Sequence, residues 1–280
     1  MFDRSVVVTG ASTGIGRAAV DLLVAAGFHV FATVRTDDDR DSLVADFGLR
    51  VTPLIMDLLH EDSVRAAGVE VCAAGPLFGL INNAGAAFPG PLEYLPIEVF
   101  RRQLEINLTG QLLVTQVMLP ALRRSAEETG DARIVIIGSI GGRLAGPILG
   151  AYQSAKHGLV GLSGALRAEL APSGIKVILI EPGAVATPIW DRGASAGGEL
   201  RGANSEIAAR YGRQLAGVAA MVARGNRSGL DPRVPASVIL DALQSRSPAP
   251  RRVVGRDARI VAALVRVLPF RAVYRLTRGS

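Results

Sequence analysis

The sequence predicts an α/β fold: a single-domain, doubly wound parallel sheet flanked by helices, spanning residues 1–280. Three observations point there. Apolar, β-branched runs alternate along the chain with segments of helical period. The first of these runs turns through a glycine-rich loop directly into a helix. No Pro/Gly/Ser-rich linker, internal repeat or low-complexity segment divides the chain, and its 49% apolar content suffices for one full core.

Taken in order, Val6 to Val8 start a strand over 5–9. Gly10, Gly14 and Gly16 form a loop before a helix over 14–26. Such a loop leaves N–H groups unpaired at a helix N-terminus, where the macrodipole favours anions, so it suits a pyrophosphate. In this reading Gly10 allows the tight turn, Gly14 the close approach of phosphates, and Gly16 the contact of helix with strand. A strand over 29–34 in HVFATV leads to a helix over 39–47, behind Asp37, Asp38 and Asp39, acids that suit a helix start. Strand 50–56, helix 61–73 and strand 78–82 follow, then a long helix near 97–127. Within it Asn107 is a poor helix former with Gly110 close behind, so either a satisfied buried amide or a function keeps it. RIVIIGS gives a strand over 133–138 that ends at Ser139. A helix over 151–171, a strand over 175–180, an irregular insertion over 187–230, a helix over 235–245, a strand over 251–255 and a terminal helix near 257–277 complete the chain. Gly10, Asn83, Ser139 and Pro182 all fall at carboxyl ends of strands, where such sheets bind ligands.

Chemistry concentrates at Tyr152 and Lys156. Lys156 is one of two lysines among 31 basic residues. Arginine stays protonated, whereas lysine has a softer pKa and a compact ammonium that can lower the pKa of a neighbouring phenol. Positions i and i+4 share a helical face. The pair therefore reads either as a general acid/base or as an ordinary helix with one lysine and one half-buried tyrosine.

These residues resemble the short-chain dehydrogenase/reductase family over nearly the whole chain. Its TGxxxGxG is Thr9-Gly10-Ala11-Ser12-Thr13-Gly14-Ile15-Gly16, its NNAG is Asn82-Asn83-Ala84-Gly85, and its YxxxK is Tyr152-Gln153-Ser154-Ala155-Lys156. Its helix-borne Asn is similar to Asn107, its serine to Ser139, and its PG motif to Pro182-Gly183, with Val185 and Thr187 following. The resemblance implies a Rossmann-type domain and hydride transfer between a nicotinamide and a ketone or alcohol. It assigns Tyr152 as proton donor, Ser139 as the hydroxyl orienting the carbonyl, Lys156 to the nicotinamide ribose and Asn107 to a water that relays protons to Lys156. Lys156 and the oxidised nicotinamide are expected to lower the phenol from about 10. Subunit pairing through the helices bearing Asn107 and Tyr152, as homodimer or homotetramer, is implied as well.

Cofactor choice hangs on the end of the second strand. An acid there would hold the ribose hydroxyl of NAD, while an arginine accommodates the extra phosphate of NADP. Val34 stands in the acid's place and Arg35 follows, which favours NADP(H), with NAD still open. Asp37 to Asp39 lie close enough to repel a 2′-phosphate if they are not simply a solvated helix start, and Thr13 lacks the basic charge some NADP-preferring relatives carry. Asp57-Leu58 resembles the pair that meets adenine. No metal is expected, since His29, His60 and His157 show no ligand spacing with Cys72.

The substrate is expected to be a bulky hydrophobic carbonyl or secondary alcohol, such as a steroid, retinoid or acyl-derived ketone. Apolar walls would come from Leu144, Ala145, Pro147, Ile148 and Leu149. A lid near 187–230 would add Ile189, Trp190, Leu200, Ile207, Tyr211, Leu215, Val218 and Met221, although that stripe also suits a packed helix. The hydroxysteroid and retinol dehydrogenase branch bears the closest resemblance. Charge is uneven: residues 246–280 carry +8 and residues 1–245 carry −2. No aromatic-interleaved basic motif for nucleic acid appears. The basic, amphipathic terminal helix could pack on its own subunit or rest on an anionic membrane. One cysteine, no signal peptide before the first strand and no long apolar run point to the cytoplasm. Two rivals are a silent cofactor-binding redox sensor, which need not keep Asn107, Ser139, Tyr152 and Lys156 together, and a membrane or partner binding module built on the tail.

Overall fold

The computed structural model describes residues 4–190 and 205–278. Its seven strands are β1 (Ser5–Val8), β2 (His29–Val34), β3 (Val51–Ile55), β4 (Gly79–Asn82), β5 (Ala132–Ile137), β6 (Ile175–Pro182) and β7 (Arg251–Val254). They form one sheet in the order β3-β2-β1-β4-β5-β6-β7, every pair parallel. The chain winds outward from β1 to β3, then returns to place β4 on the other side of β1. Loops leaving β1 and β4 therefore diverge, and a crevice opens at their carboxyl ends.

Strand side chains alternate between two cores. Val6 and Val8 join Leu23, Ile239 and Leu243 on one face, from α1 (Gly14–Ala25) and α8 (Arg233–Gln244). Val7 joins Val64, Met118 and Leu159 on the other, from α3 (Glu61–Ala74), α5 (Gly110–Thr129) and α6 (Gly150–Leu170). Burial on both faces explains why the strands read as continuous apolar runs. The helices α2 (Asp37–Phe47), α4 (Ile97–Leu104), α7 (Ser205–Ser228), α9 (Arg256–Val267) and α10 (Phe270–Arg278) complete the described elements.

Three expectations change. The long helix is interrupted: α4 passes through a π turn at Glu105–Thr109 before α5, and Gly110 N–H donates to the Glu105 carbonyl. The irregular insertion contains a 24-residue helix, α7; residues 191–204, including Leu200, lie outside the described residues. The terminal helix is two helices, because Pro269 has no N–H to donate and forces Leu268 into extended backbone, at φ −78° and ψ 141°.

Candidate active site

The glycine loop is fixed by close approaches. Gly10 and Gly14 adopt φ values of +64° and +59°, which strongly favour a residue without Cβ. A Cβ on Gly10 would lie 2.9 Å from Ala84 Cα, and one on Gly14 2.9 Å from Thr187 Cγ2. Gly14 thus makes room for Thr187 from the β6 loop, a packing role the sequence had not suggested. A Cβ on Gly16 would press on the Gly10 carbonyl and the Asn83 amide. Asn83 Nδ2 donates to the Thr9 and Gly10 carbonyls at 2.9 and 3.2 Å, and Thr9 Oγ1 accepts from the N–H groups of Asn83 and Ala84 at 2.9 Å. The ends of β1 and β4 are knitted together, and Thr9, named in the motif but given no role of its own, is the knot. No side chain caps the start of α1 and no acid occupies its first turn, so its N–H groups and positive dipole end stay available to an anion.

Ser12, Thr13, Gly14 and Ile15 line a cavity of about 770 Å³. Arg35, Asp57, Leu58, Asn83, Ala84, Gly85, Ser139, Tyr152, Lys156, Pro182, Gly183, Val185 and Thr187 line the same cavity. Tyr152 and Lys156 are both buried, on one face of α6. Lys156 Nζ donates to the Ile137 carbonyl at 2.9 Å and lies 5.7 Å from the Tyr152 ring centroid. Burial lowers its pKa to about 8. Burial also raises the Tyr152 pKa above its ordinary value, opposed by a hydrogen bond with Ser139. Among the protein's own groups the phenol thus shifts up, contrary to the lowering expected from Lys156, because desolvation outweighs the Ser139 hydrogen bond. Ser139 starts a tight turn in which its Oγ accepts from Gly141 N–H at 3.0 Å.

Residues 4–196 match the family model described as short chain dehydrogenase. The chain belongs to the short chain dehydrogenase family. A 3-amino-tetrahydro-pyrrolizinone reductase of Xenorhabdus hominickii is 41% identical over 203 residues, covering 71% of this chain and 68% of the relative. An NADPH-dependent 3-dehydrocapnine reductase of Ornithobacterium rhinotracheale is 32% identical, covering 96% and 94%. A crystal structure of a short-chain dehydrogenase from Streptomyces avermitilis superposes with a TM-score of 0.77 at 30% identity, covering 98% of each chain. This chain is an oxidoreductase of the same family.

In this family member Asn107 is fully buried in the π turn, and its amide is committed to Ala86: Oδ1 accepts from the N–H at 2.9 Å and Nδ2 donates to the carbonyl at 2.8 Å. The side-chain amide is thus satisfied by protein groups. Gln103, one turn earlier, grips Ala86 and Phe88 in the same way. Arg35 stands exposed at the end of β2. Asp37 pairs with Arg40 at 2.6 Å, and Thr36 caps α2 through Asp39 N–H, so these acids serve the helix start. Asp57 Oδ1 accepts from Leu59 N–H at 3.0 Å.

Of the expected apolar wall, Leu144 and Leu149 line the cavity, as do Ile189, Trp190 and Met221. Ile148 instead takes φ +69° and packs on Ile207 and Leu215 of α7, an unusual backbone for a β-branched residue. Trp190 lies 5.4 Å from the Tyr152 ring, centroid to centroid. Two acids escaped the sequence reading. Glu181, completely buried before Pro182, receives hydrogen bonds from Arg143 and Arg251 at 2.6 to 3.1 Å. Asp257, first turn of α9, accepts from Ala184 N–H at 3.2 Å and fills the space beside Gly183. An acid in the apolar run IKVILIEP is a visible signal, but its arginines lie 38 and 70 residues away.

Proposed function

We propose that this protein is an NADP(H)-dependent reductase of hydrophobic ketones, working reversibly on the corresponding secondary alcohols. The observation that carries the reading is the convergence of Ser139, Tyr152 and Lys156 on one cavity with the glycine loop and Arg35. When bound, the nicotinamide supplies or receives the hydride. Tyr152 gives a proton to the oxygen as alkoxide charge develops, and Ser139 steadies that oxygen by a hydrogen bond. Lys156, held by the Ile137 carbonyl, places a positive charge beside the phenol and binds the ribose. Asn107 and Gln103 hold the Ala86 backbone at the cavity floor. The start of α1 receives the pyrophosphate, Asp57 and Leu58 frame the adenine, and Gly183, Val185 and Thr187 bound the nicotinamide side.

Arg35 supports the choice of NADP(H): it takes part in none of the described ion pairs, and Asp37 is occupied by Arg40. The relative from O. rhinotracheale bears an NADPH-dependent name. The lining residues Phe88, Leu144, Leu149, Ile189, Trp190 and Met221 favour a bulky apolar substrate, of steroid-, retinoid- or lipid-like size. The reductases named above act on other substrates, so the hydroxysteroid or retinol branch rests on this apolar wall alone. We take the whole chain as one catalytic domain, paired through the helices bearing Asn107 and Tyr152; Gly161 and Gly164 leave a smooth outer face on α6. Half-buried Cys72 suits the reducing cytoplasm.

The test titrates NADPH and NADH into wild type and Arg35→Ser, then assays a panel of apolar ketones with wild type and Tyr152→Phe. NADPH is expected to bind more tightly, with Arg35→Ser weakening it by about 10- to 100-fold, as for a lost charge-assisted hydrogen bond. Tyr152→Phe should retain NADPH and lose about 10²- to 10⁴-fold in kcat. Binding without turnover on any ketone would favour the silent sensor instead.

A further inference from the structure

Among the described residues, the last two helices present a surface that nothing covers. α9 buries Ala258, while Ile260, Leu264 and Val267 are 61%, 41% and 80% exposed. Positions i, i+4 and i+7 lie on one helical face, so these three form an apolar stripe turned to solvent. Arg256, Arg259 and Arg266 on α9, and Arg271 and Arg275 on α10, are exposed as well. None of the ion pairs among the described residues involves any of the five. From residue 258 to residue 280 the sequence holds five arginines and no acid.

That charge decides between occupants. A second copy of the chain docking on this face about a twofold axis would set arginines against their own equivalents, which opposes association. An anionic bilayer satisfies both features, taking the stripe into the headgroup boundary and pairing the arginines with phosphates. We propose that α9 and α10 dock this protein on an anionic phospholipid surface. The helices lie in that surface: among the described residues no helix is long and apolar enough to cross a membrane. The docked face adjoins the cavity, since Asp257 of α9 lines it and Thr277 of α10 lies within 3.9 Å of where a side chain on Gly146 would begin. Docking does not depend on which substrate the cavity takes.

Co-sedimentation of the full-length protein with two kinds of vesicle tests this. One is phosphatidylcholine alone, and the other is phosphatidylcholine with phosphatidylglycerol. Binding is expected only to the anionic vesicles, weakening at least about tenfold when salt rises from roughly 0.1 to 0.5 M. Leu264→Asp and the pair Arg259→Gln with Arg266→Gln should each lose it by a similar factor. Both variants change exposed side chains, and NADPH binding checks that each is folded. Equal binding to neutral and anionic vesicles would overturn the proposal, as would no binding by folded wild type. So would a wild-type dimer that Leu264→Asp converts to monomer, which would assign the face to a second copy.

Discussion

At the scale of the residue, burial sets the chemistry of the proposed acid/base pair. It drives Tyr152 and Lys156 in opposite directions, each toward its neutral form. A phenol raised above 10 remains protonated through the working range, so it can donate throughout. Lys156, lowered to about 8, is the group that changes charge within reach. For ketone reduction we expect kcat/KM to stay level at lower pH and to fall as pH rises through about 8, where the ammonium is lost. A pH profile of Lys156→Met should lack that limb at a reduced overall rate, and a limb that persists would assign it elsewhere. The same shift affects stability. The unfolded lysine keeps its proton up to about 10.5, so the cost of burying the ammonium is full below about 8 and fades between the two values. The dyad was readable from spacing and from the scarcity of lysine. The direction of the phenol's shift was not, because desolvation depends on what the rest of the chain packs around it.

At the scale of the element, Glu181 joins three segments. Arg143 belongs to the loop between Ser139 and Tyr152, Glu181 to the end of β6, and Arg251 to the start of β7. Its buried carboxylate is held below the ordinary glutamate value of 4.5: burial alone would raise it, but the bonds and charges of Arg251 and Arg143 outweigh that. Its stabilising contribution is present above that value and disappears as pH falls through the lowered one. Glu181→Gln should therefore lower thermal stability at neutral pH by about 3 kcal/mol, the low end for a broken buried pair because Arg251 is partly exposed. The loss should shrink in melts recorded well below pH 4.5, where wild type also protonates. An undiminished difference in acid would mean that packing, not charge, holds the three segments. Helices and strands were legible where periodicity was strong. The π turn at Glu105–Thr109 was not, since one extra residue per turn leaves the apolar pattern almost unchanged. The extent of α7 was obscured by the glycines and small residues around it, while the break at Pro269 was in plain view and was passed over.

At the scale of the whole molecule, the parallel, doubly wound sheet followed from the alternation of strands and helices, while its strand order came only with the structure; the convergence of four motifs on one edge followed from the winding. The part played by the C-terminus did not, because Asp257 meets Ala184 across 73 positions of sequence. This contact makes the tail part of the site. Removing residues 257–280 is expected to lower the melting temperature and to weaken NADPH by freeing the loop at Gly183. Removing only 268–280 should spare NADPH binding, since Asp257 and buried Ala258 remain. Calorimetry with cofactor titration distinguishes the two, and identical behaviour would place the anchor in α10. Trp190, set against the ring of Tyr152, is the only tryptophan in the chain. Its near-ultraviolet emission overlaps the absorption of a reduced nicotinamide, so a dinucleotide seated beside it becomes an energy acceptor. The protein therefore carries its one tryptophan beside the proposed acid/base, and filling and emptying of the cavity by a reduced nicotinamide can be followed in real time without a label.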